Sequence, residues 1–359
     1  YFPLWLNKGL QLDPKYIGYI LSVSGIVKAS FTIILAVFIK NNNSLRNFLS
    51  YLIIFTLTLF LFIHLLKNIL SLNIILIIVL MFLISFSPVL PLIETLYSGL
   101  VKKSLKKYGK IRISGSLSFC LGVFLFGYFI DIYSINIFPQ ILICCLLFMK
   151  LSIFFIPKKI KAEEFHNLTN FKNLINENKK ILLYIVVCSL LQGTHAMYYG
   201  YSTIIWERKG LDFINIGILW SFAIISEILL FLTIDYFFKP RYLYRALIFC
   251  SAICFLRWCL TYLIENFYIL LIIQTLHGVT FALTHYIMIF FINSKLKQSS
   301  RLHAQIIYYA LTGGFFITIL TISCGHILSY FKGDEGYMLM ALLAFVSFLF
   351  LIIKGKLYG

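Results

Sequence analysis

The sequence predicts an all-α integral membrane protein, built as two six-helix bundles in parallel pseudo-repeat with the first helix truncated. Three observations carry this prediction. Hydrophobic residues fill 61% of the 359 positions and charged residues only 12%, with a mean hydropathy of +0.93. A soluble domain is nearer half apolar and a quarter charged. The apolar residues also fall in runs long enough to cross a bilayer as helices. Finally, WLNKGL at Trp5–Leu10 returns as WERKGL at Trp206–Leu211, and two of the four tryptophans head these strings.

The elements follow in order. Residues 1–6 read as the tail of a first helix. The chain starts at Tyr1 inside an apolar motif, so a preceding piece is expected. Full spans are expected near 16–39, 47–66, 72–99, 113–131 and 135–156, closing an N-terminal bundle over 1–156. A polar stretch at 157–180 follows. Its Phe165, Leu168, Phe171 and Ile175 recur at helical spacing among lysines and glutamates, which fits a cytoplasmic amphipathic linker. Six more spans are expected near 181–206, 213–238, 242–264, 267–293, 302–328 and 336–353, forming a C-terminal bundle over 181–359. Spans of this length exclude a β-barrel, whose strands are about ten residues long.

The formal charge of +18 does not indicate nucleic acid, because the basic residues sit in short loops between spans. Twenty-two of the 31 lysines and arginines lie on one side, in 40–46, 101–112, 157–180, 239–245, 295–301 and the tail. Six lie on the other and three within spans. The rich side is expected to be cytoplasmic, with the C-terminus inside. All eight cysteines lie in apolar runs without metal-ligand spacing and read as packing residues. No metal or cofactor is implied. No phosphate-binding loop, HExxH or GxSxG string is present, so neither an enzyme nor a self-contained ATP-driven pump is expected.

The doubled string sets the register of a repeat. Gly18, Lys28 and Arg46 correspond to Gly217, Glu227 and Arg245 at one offset. Parallel repeats of this kind place a substrate site near the midplane between the halves. Ionisable residues at that depth are costly and point to function. Glu227, a lone acid in SFAIISEILLF, reads as a proton carrier or as a partner for a cation. Arg257, in the next span, reads as that cation or as a clamp for an anion. Glu94 follows Pro88 and Pro91 and suits a gate, or else packs near the interface. Gln192, His195, Tyr198 and Tyr199 share one helix face. Gln274, His277 and His285 share a broad face of another span. Lys28 could bind an anion or pair with an acid. Against each stands plain packing or interhelical hydrogen bonding. Asp131 sits at a span end and marks an interface, and each repeated tryptophan is expected to anchor there.

With these residues on the page, the chain resembles the phenylpropionate-permease-like branch of the major facilitator superfamily. FPLWLNKGLQLDPKYIGYIL looks like its first loop and second helix, and YGKIRISGSLSFCLGVFLFGYFID like its fifth helix. GTHAMYYGYSTIIWERKG, IGILWSFAIISEILLF, RWCL and LHGVTFALTHY look like its seventh to tenth helices. Lys28 stands where arginine is expected, and the loop IKNNNSLR lacks the usual GxxxDRxGRR. The set Glu227, Arg257 and His285 is similar in kind to that of sugar–proton symporters. The resemblance implies a monomeric multi-pass transporter of a bacterial inner membrane, working by alternating access. Its implied partners are protons, lipid and a small organic solute such as an aromatic acid. It implies proton coupling through Glu227, Arg257, His285 and Glu94. The implied cavity contacts are Gln192, His195, Tyr199, Gln274, His277 and Lys28. Efflux of drugs or metabolites, nucleoside or sugar symport, and a non-transporting sensor or scaffold are the alternatives.

Overall fold

The computed structural model describes residues 1–38, 42–93, 105–156, 174–176, 178–331 and 333–358. Among these, every regular element is helical. We number them α1 (Phe2–Lys8), α2 (Pro14–Phe38), α3 (Asn42–Leu66), α4 (Leu72–Phe86), α5 (Leu105–Tyr133) and α6 (Phe138–Ser152). After the linker come α7 (Ile181–Arg208), α8 (Phe213–Phe237), α9 (Leu243–Leu263), α10 (Phe267–Lys295), α11 (His303–Phe331) and α12 (Gly336–Tyr358). Ten described stretches are long and apolar enough to cross a membrane. Helices satisfy their own backbone groups, which is what hydrocarbon demands. Large apolar side chains such as Leu65, Phe148, Phe154 and Ile272 face outward. Water would penalise such a surface, whereas lipid accepts it. Helix α5 starts eight residues before its apolar run, because the polar string LKKYGKIR continues the helix backbone. Most of the expected linker helix and Glu94 lie outside the described residues.

The most extensive contacts join α5 to α8, α2 to α11 and α9 to α12. The first two cross between the leading helices (α1–α6) and the trailing helices (α7–α12). The repeat glycines sit on these two seams. A Cβ at Gly217 would lie 2.8 Å from the Val123 carbonyl oxygen on α5. A Cβ at Gly18 would lie 3.0 Å from the Thr321 carbonyl oxygen on α11. Neither position has room for a side chain, so the register read from the sequence falls on two close approaches of backbone. Gly127 beside the Phe213 carbonyl, and Gly325, where a Cβ would lie 2.7 Å from that of Pro14, are closer still on the same seams.

The repeated tryptophans are not interfacial anchors. Trp5 is fully buried among Phe2, Phe60 and Phe138, and Trp206 is buried against Tyr198 and Trp220. The Lys-Gly-Leu turn accounts for this. In both copies the leucine N–H bonds back to the tryptophan carbonyl, at 3.2 Å (Leu10) and 3.0 Å (Leu211). Such a bond ends the helix, and in the first copy it folds Gly9 over the ring, where a Cβ would lie 2.7 Å from Trp5 Cδ1. The two copies also meet, through Lys8 Nζ and Glu207 Oε1 at 2.8 Å.

Asp131 does more than mark an interface. Its carboxylate accepts from the backbone N–H of Phe213 (2.9 Å) and Ile214 (2.8 Å). It caps the start of α8 from α5, although Asp212 occupies the N-cap position itself without a side-chain bond. An anion suits that end of a helix.

Candidate functional site

Helix α7 is buried along most of its length and bends at Thr194–His195. The bend has a local cause. Thr194 Oγ1 donates to the Leu191 carbonyl at 2.6 Å, and His195 Nδ1 lies 3.2 Å from the carbonyls of Leu191 and Gln192. Side chains that enter the backbone ladder bend a helix. Helices α10 and α11 are interrupted too, by π-helical segments at Gly278–Leu283 and Ala310–Ile317. Segments of this type cluster at functional sites. Gln192 reaches the first of them, its Nε2 donating to the Phe281 carbonyl at 2.8 Å.

A cavity of about 460 Å³ opens between the leading and trailing helices. Tyr1 and, from α5, Phe119 and Val123 form one wall. Tyr198, Tyr199, Trp220, Ile224, Glu227, His277 and Phe281 form the rest. One contact sets Glu227 against His277. Ser226 Oγ accepts from the Gly278 N–H at 3.0 Å, locking α8 to α10 one residue from each group. Glu227 Oε2 then lies 3.9 Å from His277 Nε2.

Behind His277 lies Arg257, fully buried on α9. Its Nη1 is shared among Thr280 Oγ1 (2.8 Å), His277 Nδ1 (3.0 Å) and His195 Nε2 (3.3 Å), and its Nη2 donates to Gln274 Oε1 (3.1 Å). The guanidinium lies 4.8 Å from the Tyr198 ring centroid and 4.6 Å from that of Trp258, a cation–π arrangement on both. Trp258 is held in turn by Thr194 Oγ1 at 3.0 Å.

These bonds fix two tautomers. Arginine only donates, so the ring nitrogens facing it must accept. His277 therefore carries its proton on Nε2, pointing at Glu227 and the cavity. His195 carries its own on Nδ1, toward the α7 carbonyls. The result is a line of polar groups from the cavity inward: Glu227, then His277, then Arg257.

The structure thus separates the sequence candidates. Glu227, His277 and Tyr199 line the cavity. Arg257, His195 and Gln274 form the buried cluster behind it. Gln192 is buried and engaged with α10. His285 is not among the residues that line the cavity. It lies beside Tyr308, Nδ1 3.4 Å from the phenol oxygen, and near Tyr309. Lys28 is exposed on α2 and does not line the cavity. Sequence reasoning missed Thr280, Trp220 and Phe281. Thr280 and Phe281 stand three and four places after His277, the spacing of one helix face. Trp220 stands seven before Glu227, two turns away on the same face.

Seams at α2/α11 and α5/α8 between the leading and trailing helices, around a cavity that holds a carboxylate, are the features of a transporter of the major facilitator fold. Residues 1–346 match the MFS_1 like family, and the chain belongs to it. Over 350 residues it is 27% identical to an Escherichia coli (strain K12) protein named "Probable 3-phenylpropionic acid transporter", covering 96% of this chain and 90% of that one. It is 23% identical over 266 residues to a Bacillus subtilis (strain 168) protein named "Uncharacterized transporter YwbF", covering 73% of this chain and 66% of that one. In fold it is similar to the crystal structure of the nucleoside transporter NupG. The TM-score is 0.79 and the identity 16%, over 98% of this chain and 93% of that one. The family is one of transporters, not enzymes.

Proposed function

We propose that the protein is a proton-coupled symporter importing a small aromatic carboxylic acid across a bacterial inner membrane by alternating access. The observation that carries this reading is Glu227 on the cavity wall, 3.9 Å from His277 and in line with buried Arg257. A carboxyl in such a place can take up and release a proton, and it is reachable from the cavity. The aromatic walls suit a ring, and the similarity to the 3-phenylpropionic acid transporter supports that substrate class. The bias of Lys and Arg toward one set of loops supports a cytoplasmic C-terminus.

The test is uptake of labelled 3-phenylpropionate by purified protein in liposomes. An inward proton gradient should drive accumulation, and a protonophore should abolish it. Absence of gradient-driven accumulation overturns symport. Glu227→Gln should lose concentrative uptake yet keep exchange of internal for external substrate. Concentrative uptake by that variant overturns the role of Glu227 and leaves symport standing.

A further inference from the structure

Side chains from two other helices grip the π turn of α10. Ser226 on α8 commits its own proton to the Ala223 carbonyl at 2.7 Å, so its oxygen accepts from the Gly278 N–H at 3.0 Å. Gln192 on α7 donates to the Phe281 carbonyl at 2.8 Å. A π turn bonds i to i+5 and so departs from the α ladder on either side. Buried backbone groups at such junctions need other partners. Thr284 Oγ1 also donates within α10, to the Val279 carbonyl five places back, but at 3.5 Å. The π turn of α11 is more self-sufficient: its Thr318 donates five places back to the Gly313 carbonyl at 3.0 Å. Close approach helps the α8 grip, since a Cβ at Gly278 would lie 2.8 Å from the Ser226 carbonyl oxygen.

The turn begins directly after His277. It closes on one residue more than an α turn, and at about 3.6 residues per turn that residue swings the helix by roughly 100°. The inner half of α10 is fixed by buried Ile287, Met288 and Phe291, and the outer half by Leu270 and Ile273. His277 stands between them, with Arg257 at its Nδ1 (3.0 Å) and Glu227 beyond its Nε2 (3.9 Å). We propose that Gln192 and Ser226 are positioning residues: by holding this turn they aim His277 at Glu227. The tie to transport rests on the symport reading; the aim itself does not. Without Gln192 the Phe281 carbonyl loses its side-chain donor, and the backbone gains by closing an α turn onto its own N–H groups. The extra residue then leaves the turn, and His277 rotates away from Glu227. Without the Ser226 hydroxyl, the Gly278 N–H loses that acceptor and α8 is no longer pinned to α10 beside Glu227. Neither side chain is among those that line the cavity. Each acts through His277.

The test is nuclear magnetic resonance of the purified protein carrying isotope-labelled histidine, with the His277 ring signals assigned by their loss in His277→Phe. Glu227→Gln should move these signals in the wild type, because the two groups face each other. In Gln192→Met and in Ser226→Ala the same Glu227→Gln change should no longer move them. Ser226→Ala removes a single oxygen and decides the question if Gln192→Met does not fold. Thr312→Val is the control. It cuts the bond from α11 to Ser189 on α7 and leaves the α10 turn alone, so His277 should still respond. A response in Gln192→Met and Ser226→Ala equal to that of the wild type overturns the proposal. So does a wild-type signal indifferent to Glu227→Gln. Loss of the response in Thr312→Val as well also overturns it, because general loosening of α7 would then be the cause. In liposomes, gradient-driven uptake of 3-phenylpropionate should fall about tenfold or more in Gln192→Met, the scale of a misplaced group at a site, and stay near wild type in Thr312→Val. Undiminished uptake by Gln192→Met overturns the tie to transport. Wild-type protein that takes up nothing overturns symport, and the resonance measurement still decides the aim of His277.

Discussion

The leading and trailing helices differ most in what they bury. Among the described residues, α2–α6 bury polar side chains only of serine and threonine: Ser22, Thr56, Ser85 and Ser87. Helices α7–α10 bury an arginine, two histidines and two glutamines, with hydroxyls between them. The serines and threonines close their bonds onto their own helix carbonyls or onto each other, as Ser87 does with Ser24 at 2.9 Å. In the trailing helices the two histidines, Gln274 and Thr280 instead converge on the one guanidinium of Arg257. A local bond of the first kind is nearly self-contained. A shared network of the second kind stands or falls together. The described part of the leading set therefore supplies a wall, and the trailing set supplies the chemistry.

Removing Arg257 is the largest perturbation this contrast allows. Arg257→Met would leave acceptors on His277, His195, Gln274 and Thr280 without their donor. Breaking a buried charged network costs about 3–5 kcal/mol. Uptake should vanish, and the melting temperature in detergent should drop sharply. Arg257→Lys should not restore uptake, because a single ammonium cannot reproduce the planar fork that reaches four side chains. Ser87→Ala should cost under about 1.5 kcal/mol, the worth of an ordinary hydrogen bond. Similar losses for Arg257→Met and Ser87→Ala would erase the distinction.

The seams give the next effect. Gly217→Val would press on the α5 backbone, an overpacking cost of about 1–3 kcal/mol. Gly122, on α5, has open space where a Cβ would go, so Gly122→Val should leave the melting temperature within about a degree, as expected for a substitution away from packing. A cysteine placed near Val123 should also label faster in Gly217→Val. Equal stability of the two variants would mean that the α5/α8 seam is looser than its geometry indicates.

Much of this was legible in the sequence, for a plain reason. Apolar run length and loop charge are one-dimensional signals, so the helices and the glycine register could be read directly. Glu227 and Arg257 stood out because an ionisable residue in an apolar run has few innocent explanations. Their linker did not. His277 and His285 lie in the same span, and spacing on an ideal helix gave no ground to choose between them. The π segment at Gly278–Leu283 intervenes and changes the rotation between the two. That departure is set by contacts with Ser226 and Gln192 on other helices, which no local pattern records. The tryptophans misled for a related reason. An end-of-span tryptophan reads as an anchor, and only the packing of Phe60, Phe138 and Trp220 around it shows that it is core.

The smallest predicted effect concerns an ion cluster that lies wholly within the trailing set. Lys209 Nζ meets Asp334 Oδ2 at 2.8 Å and Glu265 Oε1 at 3.3 Å in the loops beyond α7. Burial pulls the lysine pKa down, but the bond and charge of Asp334, and then those of Glu265, outweigh it and leave the pKa raised above 10.5. A group whose folded pKa is raised stabilises fully below its unfolded pKa, and that contribution fades as pH climbs through the folded value. At neutral pH the full effect is therefore present. It is modest, because the cluster is partly solvated: about 0.5–1 kcal/mol. Lys209→Met should lower the melting temperature slightly at pH 7, and the gap to wild type should narrow once pH rises past the lysine range. Uptake should be unchanged, since the cluster touches neither the cavity nor a seam. A gap that stays constant with pH would show that Lys209 stabilises through the packing of its stem, not through its charge. An uptake defect would tie these loops to the transport cycle and extend the functional region of the trailing set beyond its membrane core.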